Sequence, residues 1–288
     1  MLYFIEQCLN GVQLGMLLFL LAAGLTLVFG IMDLVNLAHG SLYMLGAYFA
    51  ASFATLTGSF VVAVILAIGA SLIAGMVLEL IAIRPLYGRD HLDQVLGTFG
   101  LLLFFNELVR LVWGPEGRTL SLPHEMLTAV KVLPGVYYPV YRLVIILVAL
   151  AVAAMLYLVV MRTRLGMLIR AGASNREMVG ALGINIKLLF TLVFGLGAAL
   201  AAFGGVIGAP YLSVYPGLDA EMLPLALIVV ILGGTGSLLG ALVGSFIIGF
   251  LYNFGQAKFP DLAYVILFLP MLLVLVLRPQ GLFGKGGA

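Results

Sequence analysis

The sequence is dominated by long apolar runs separated by brief stretches containing Gly, Pro or charge. About 20 apolar residues of helix cross the hydrocarbon core of a bilayer. Nine runs are candidates: 9–30, 38–57, 60–83, 94–113, 140–161, 187–209, 223–235, 237–254 and 262–277. Those at 223–235 and 262–277 are short, so each is read as tilted, broken or re-entrant. The runs are continuous rather than alternating with a period of two, which predicts helices and not barrel strands. The expected architecture is an all-α polytopic transmembrane helical bundle of about eight or nine spans. It forms one transmembrane domain over residues 1–288, with short loops only.

Composition removes the alternatives. The chain is 64% hydrophobic and 9% charged, against about 45–50% and about 25% in a soluble domain. A soluble enzyme, a nucleic-acid binder and a disordered chain are excluded on that ground. Gly accounts for 36 of 288 residues, which suits helices that must approach closely in lipid. The net charge of +2 says nothing about acidic partners. Cys8 is the single cysteine, so neither an internal disulfide nor a cysteine metal cluster is available, and it is read as a packing residue. The first Lys or Arg is Arg84; without a positive leader segment, the first run is read as a retained span.

Loop charges set the orientation, because Lys and Arg are held on the cytoplasmic side. The stretch 162–187 carries Arg162, Arg164, Arg170, Arg176 and Lys187 against Glu177 and is read as cytoplasmic. The tail carries Arg278 and Lys285 and falls on the same side. Loops 114–139 and 210–222 are then outside, the latter holding Asp219 and Glu221, and 84–93 is inside. The outside position of the N-terminus follows from counting alone.

Within 162–187, Ser174 or Asn175 can cap a short helix, Glu177 suits its first turn, and Gly183 can stop it. The predicted helix lies near 175–182 and shows Met178, Val179, Ala181 and Leu182 beside its polar positions. Such a helix fits a groove on another protein, or lies on the lipid surface with its arginines on phosphates. Asp33, Asn36 and His39 form a second polar group between apolar runs. Spacings of three would put them on one face of a helix. They would then line a translocation pathway or bond between helices; in a cytoplasmic turn, which the span count favours, they meet water. Glu79 with Arg84 and Glu107 with Arg110 are read as structural ion pairs rather than a proton relay. His124 and Glu125 fall in the outer loop, and Gly233, Gly234 and Gly236 suggest a tight turn or a close helix contact. Gly40-Ser41-Leu42 with Gly46-Ala47 loosely echoes Gly236-Ser237-Leu238 with Gly240-Ala241, a spacing common in any membrane helix.

Several stretches together resemble a known family. Arg170-Ala171, Asn175-Arg176-Glu177 and Ala181-Leu182-Gly183-Ile184-Asn185 resemble the coupling loop of ABC importer permeases. Gly30-Ile31-Met32-Asp33-Leu34-Val35-Asn36-Leu37-Ala38-His39-Gly40, Leu232-Gly233-Gly234-Thr235-Gly236-Ser237 and Leu277-Arg278-Pro279-Gln280-Gly281 are similar to the branched-chain amino acid permease family. The Asn-Leu-Ala-His-Gly stretch points to its LivH-like half. The resemblance implies a sister permease subunit, two cytoplasmic ATP-binding subunits and an extracytoplasmic substrate-binding protein, in a bacterial inner membrane. It maps ATPase coupling onto Arg170, Ala173, Asn175, Glu177, Ala181, Leu182 and Gly183. The chain has no Gly-x-x-x-x-Gly-Lys-Ser/Thr phosphate loop, so ATP hydrolysis is expected on a partner; neither cofactor nor metal is expected. The competing reading is a stand-alone channel or secondary transporter for a small solute such as urea or an amide. An intramembrane enzyme lacks a Gly-x-Ser-x-Gly or His-Glu-x-x-His constellation.

Overall fold

A chain in lipid has no water to satisfy its peptide groups, and an α-helix satisfies them within the segment. The computed structural model, which describes residues 2–284, turns the apolar runs into helices on that principle. They are α1 (Leu2–Met32), α2 (His39–Thr57), α3 (Phe60–Leu78), α4 (His91–Trp113), α5 (Val140–Arg162), α6 (Arg164–Ser174), α7 (Arg176–Ala181), α8 (Ile186–Leu212), α9 (Leu218–Gly233), α10 (Leu238–Lys258) and α11 (Ala263–Leu277). A π-helical turn, Glu79–Ile83, and a 3-10 turn, Arg84–Leu86, prolong α3.

Among the described residues, seven helical stretches are long and apolar enough to cross a membrane: Leu2–Met32, Phe60–Leu86, His91–Trp113, Val140–Arg162, Ile186–Leu212, Leu238–Lys258 and Pro260–Leu277. Two of the nine expected runs differ, those at 38–57 and 223–235. The first is α2, whose apolar character is diluted by His39, Ser41, Tyr43, Tyr48 and Ser52. The second is α9, whose 16 residues rise about 24 Å at about 1.5 Å each, short of a hydrocarbon core of about 30 Å.

These two helices sit inside the bundle. The apolar stretch of α1 is 89% buried and that of α8 61%, against 28% for α3, 17% for α4, 22% for α5 and 12% for α11. The inner helices are therefore shielded by outer ones whose large side chains, such as Leu111 and Val276, face outward. Glycine permits close central approach: a Cβ on Gly205 of α8 would collide with the Tyr43 carbonyl oxygen of α2, and one on Gly24 of α1 would lie 2.5 Å from the Gly197 carbonyl oxygen of α8.

The connections hold more structure than the sequence reading gave them. The stretch 114–139 contains an antiparallel hairpin, β1 (Ala129–Leu133) and β2 (Val136–Pro139), turning at Gly135. Two helices rather than one occupy 162–187. The expected loop 210–222 shrinks to 213–217, because α8 continues to Leu212 and α9 begins at Leu218. The glycine-rich turn after α9 proves to be both a turn and a close contact. Gly234 and Gly236 take positive φ, and the tail folds back so that Leu282 N donates to Leu232 O and Phe283 N to Gly233 O, each at 2.9 Å. Lys285 lies outside the described residues.

Candidate coupling element and buried polar sites

The basic stretch forms an elbow. Thr163 caps α6 by accepting from Gly166 N at 3.1 Å. Ile169 and Gly172 are buried, and a Cβ on Gly172 would meet Ile31 Cδ1 of α1 at 3.0 Å. Thus α6 rests on the end of α1. Asn175, not Ser174, caps α7, accepting from Met178 N at 2.9 Å. Gly183, at φ +84°, ends it in the left-handed conformation. Gly183 N donates to Gly180 O and Ile184 N to Val179 O, the paired bonds of a Schellman motif. Val179 anchors α7, while Met178 is 59% and Leu182 74% exposed. All seven residues assigned to coupling by resemblance, Arg170, Ala173, Asn175, Glu177, Ala181, Leu182 and Gly183, are exposed on this elbow.

Arg170, Ala173, Asn175 and Glu177 also line a cavity of about 1040 Å³ with Asp33, Thr235 and Gln280. Asp33 is therefore brought to the elbow, but Asn36 and His39 are not. Residues 33–38 are non-helical, so the shared helix face does not form. Asp33 is exposed at φ +52°, whereas Asn36 and His39 are fully buried. Of the three residues expected to share an exposed turn, Asp33 alone is exposed. His39 Nε2 lies 3.2 Å from Leu21 O. Both polar side-chain atoms of Asn36, and Nδ1 of His39, lack a partner among the described residues.

Two carboxylates are buried between helices. Glu79 accepts from Arg84 Nε at 3.2 Å and Nη2 at 3.1 Å, from Tyr87 Oη at 2.7 Å and from Thr191 Oγ1 at 2.7 Å. The π turn explains why a five-residue spacing pairs, since Arg84 N bonds back to Glu79 O. The expected pairing of Glu107 with Arg110 also forms, at 3.0 Å on the surface. Asp219 is the functional-looking residue that sequence reasoning missed, having been placed in a solvated loop. It is fully buried in the first turn of α9. It accepts from Ser41 Oγ at 2.8 Å, Asn106 Nδ2 at 2.8 and 2.9 Å and Ala220 N at 2.9 Å.

At the opposite end from the elbow, Asn10 Oδ1 accepts from Tyr138 Oη at 3.0 Å and from Arg142 Nη1 at 2.6 Å. Burial pushes the Tyr138 hydroxyl above the ordinary tyrosine range, so it stays a donor. His124 and Glu125 are exposed on a 3-10 turn, and Cys8 is half-buried on α1.

A multi-pass bundle with a broken α1–α2 junction, polar groups buried between its helices and an exposed elbow at one end has the build of a membrane permease. The profile described as branched-chain amino acid transport system, permease component, matches residues 7–275, and the chain belongs to that family. It is 32% identical to the high-affinity branched-chain amino acid transport system permease protein BraD of Pseudomonas aeruginosa, over 98% of this chain and 96% of that one. Identity to the corresponding LivH protein of Escherichia coli is 32% over 99% and 96% of the two chains. A probable LivH permease of Methanocaldococcus jannaschii is 26% identical over 93% and 89%. No solved structure matches.

Proposed function

We propose that this chain is the translocating subunit of an ABC importer for branched-chain or related amino acids, working by alternating access in a bacterial inner membrane. A sister permease completes the pathway, an extracytoplasmic binding protein delivers the amino acid, and two cytoplasmic ATPases drive the cycle. The basic end and the C-terminus face the cytoplasm. Names of the relatives support the substrate class.

The observation that carries the motor coupling is the elbow itself. A helix as short as α7 does not hold together alone in water. Here it is capped at both ends and presents Met178 and Leu182 outward, with Glu177 beside them. Arg176 suits an anionic lipid surface as well as a partner, whereas Glu177 in the same turn disfavours that surface. A groove on a partner accommodates both. When the partner dimer closes, α7 moves and α6 passes the motion to α1 at Ile31. Asp33, the Asn36 side chain with its unpartnered amide, and His39 sit beyond that contact, where the chain changes direction on the way into α2.

The test is uptake in proteoliposomes containing the assembled transporter and its binding protein. Glu177→Arg and Ala181→Trp are expected to abolish ATP-driven leucine uptake while membrane insertion persists. Uptake that continues when ATP hydrolysis is blocked would overturn the reading in favour of a self-sufficient channel. Uptake and ATPase docking that both survive in the two variants would remove the coupling role of α7.

A further inference from the structure

A cavity of about 160 Å³ lies between α1, the end of α8, the start of α9 and α10. That is the volume of roughly five waters at about 30 Å³ each. It lies at the end of the 27-residue α8 remote from the elbow. Two of its lining residues have opposite hydrogen-bonding capacity. Gln13 is 1% exposed, and its Nε2 donates to no partner among the described residues. A buried amide left in that state costs free energy that a bound acceptor would recover. Glu221 presents a carboxylate that accepts from the Tyr215 hydroxyl. A carboxylate has about four lone-pair sites, so it retains capacity for a cation. The neighbouring Asp219 cannot serve, because Ser41, Asn106 and its own helix hold it. The rest of the wall includes Leu14, Leu212, Met222 and Leu225.

We propose that this cavity is a solute subsite for a zwitterionic α-amino acid, with the ammonium at Glu221, the carboxylate at the Gln13 amide and the aliphatic side chain among Leu14, Leu212, Met222 and Leu225. The subsite rests on the transport reading above and adds that the permease itself recognises the head group after delivery. A donor and an anion in one small space select a ligand carrying both charges. A urea or a simple amide lacks the cation that Glu221 favours.

The experiment is equilibrium binding of tritiated L-leucine to the assembled permease and ATPase complex in lipid nanodiscs, without the binding protein. Saturable binding is expected. L-Leucinamide, which lacks the carboxylate, and 4-methylpentanoate, which lacks the ammonium, are expected to compete about tenfold less well, the size of one charge-assisted hydrogen bond. Gln13→Met keeps the side-chain volume and removes the orphan amide, so the fold does not suffer from it. It is expected to weaken leucine binding about tenfold and to erase discrimination against leucinamide. Glu221→Gln, at an exposed position, should erase discrimination against 4-methylpentanoate. A purely structural role at either position would leave the competition order unchanged. Absence of saturable binding overturns the subsite, and so does unchanged affinity and discrimination in both variants. Uptake by the same complex with its binding protein and ATP is scored separately. Leucine uptake without saturable binding removes the subsite and leaves the importer standing, whereas no amino-acid uptake removes the importer reading.

Discussion

Glu79 and Asp219 are both fully buried carboxylates in one helical bundle, yet they are stabilised in different ways. Glu79 has a guanidinium: Arg84 binds it through two nitrogens, and the Arg84 side chain keeps 31% exposure. A long side chain near the basic end can reach inward to an acid while part of it stays wet. Asp219 has neutral donors from α2, α4 and its own helix, and the ion pairs among the described residues are Glu79–Arg84 and Glu107–Arg110. Its charge is favoured by the amino end of α9. The difference teaches where geometry must be held. At Glu79, charge pairing ties α3 to its own continuation, with Thr191 of α8 alongside. At Asp219, one acceptor joins three helices, so its loss should loosen the bundle more widely.

The largest effect is expected from Asp219→Ala, which strands the buried Ser41 hydroxyl, leaves the half-buried Asn106 amide with its bond to Leu102 O alone, and unties three helices. Leaving such groups unpaired is expected to cost about 3 kcal/mol, read as a fall in melting temperature of the purified protein. A smaller fall than that of Asn106→Leu would break the comparison. Arg84→Met comes next, because it leaves Glu79 buried with hydroxyl donors alone. Adding Glu79→Gln to it should restore part of the loss, and strict additivity of the two changes would show that no charge pairing operates there. Asn106→Leu, which takes one donor from Asp219, is expected to cost about 1.5 kcal/mol. Thr191→Val sharpens the other side: Glu79 keeps Arg84 and Tyr87, so about 1 kcal/mol is expected. If Thr191→Val proves as damaging as Asp219→Ala, the hydroxyl rather than the guanidinium holds Glu79.

Much of this architecture was legible because its causes are local. The long spans follow from runs of apolar residues, and the stop at Gly183 follows from one residue's tolerance of positive φ. The Glu79–Arg84 pair was legible as well, though the π turn that aligns it was not. Other elements left signals that were passed over. Pro134-Gly135 between Val130, Val132 and Val136 marks the hairpin. Leu165, Leu168, Ile169 and Gly172 carry the spacing of a helix face, which is α6. Asp219 lies beyond such reading, since Ser41 is 178 residues away and Asn106 is 113. Nothing near Asp219 distinguishes it from Glu221, one turn-facing acid buried and the other exposed. The same holds for the cavity at Gln13, assembled from helices that meet only in three dimensions.

Asn175 is the whole of the joint between α6 and α7: it ends the first helix and caps the second, with a backbone at φ −156° and ψ +95°. A single residue separates the two helices, and its side chain is bonded to Met178 N. Under the coupling role proposed for α7, the stiffness of that short joint sets how much of a swing on the outer arm reaches Ile31.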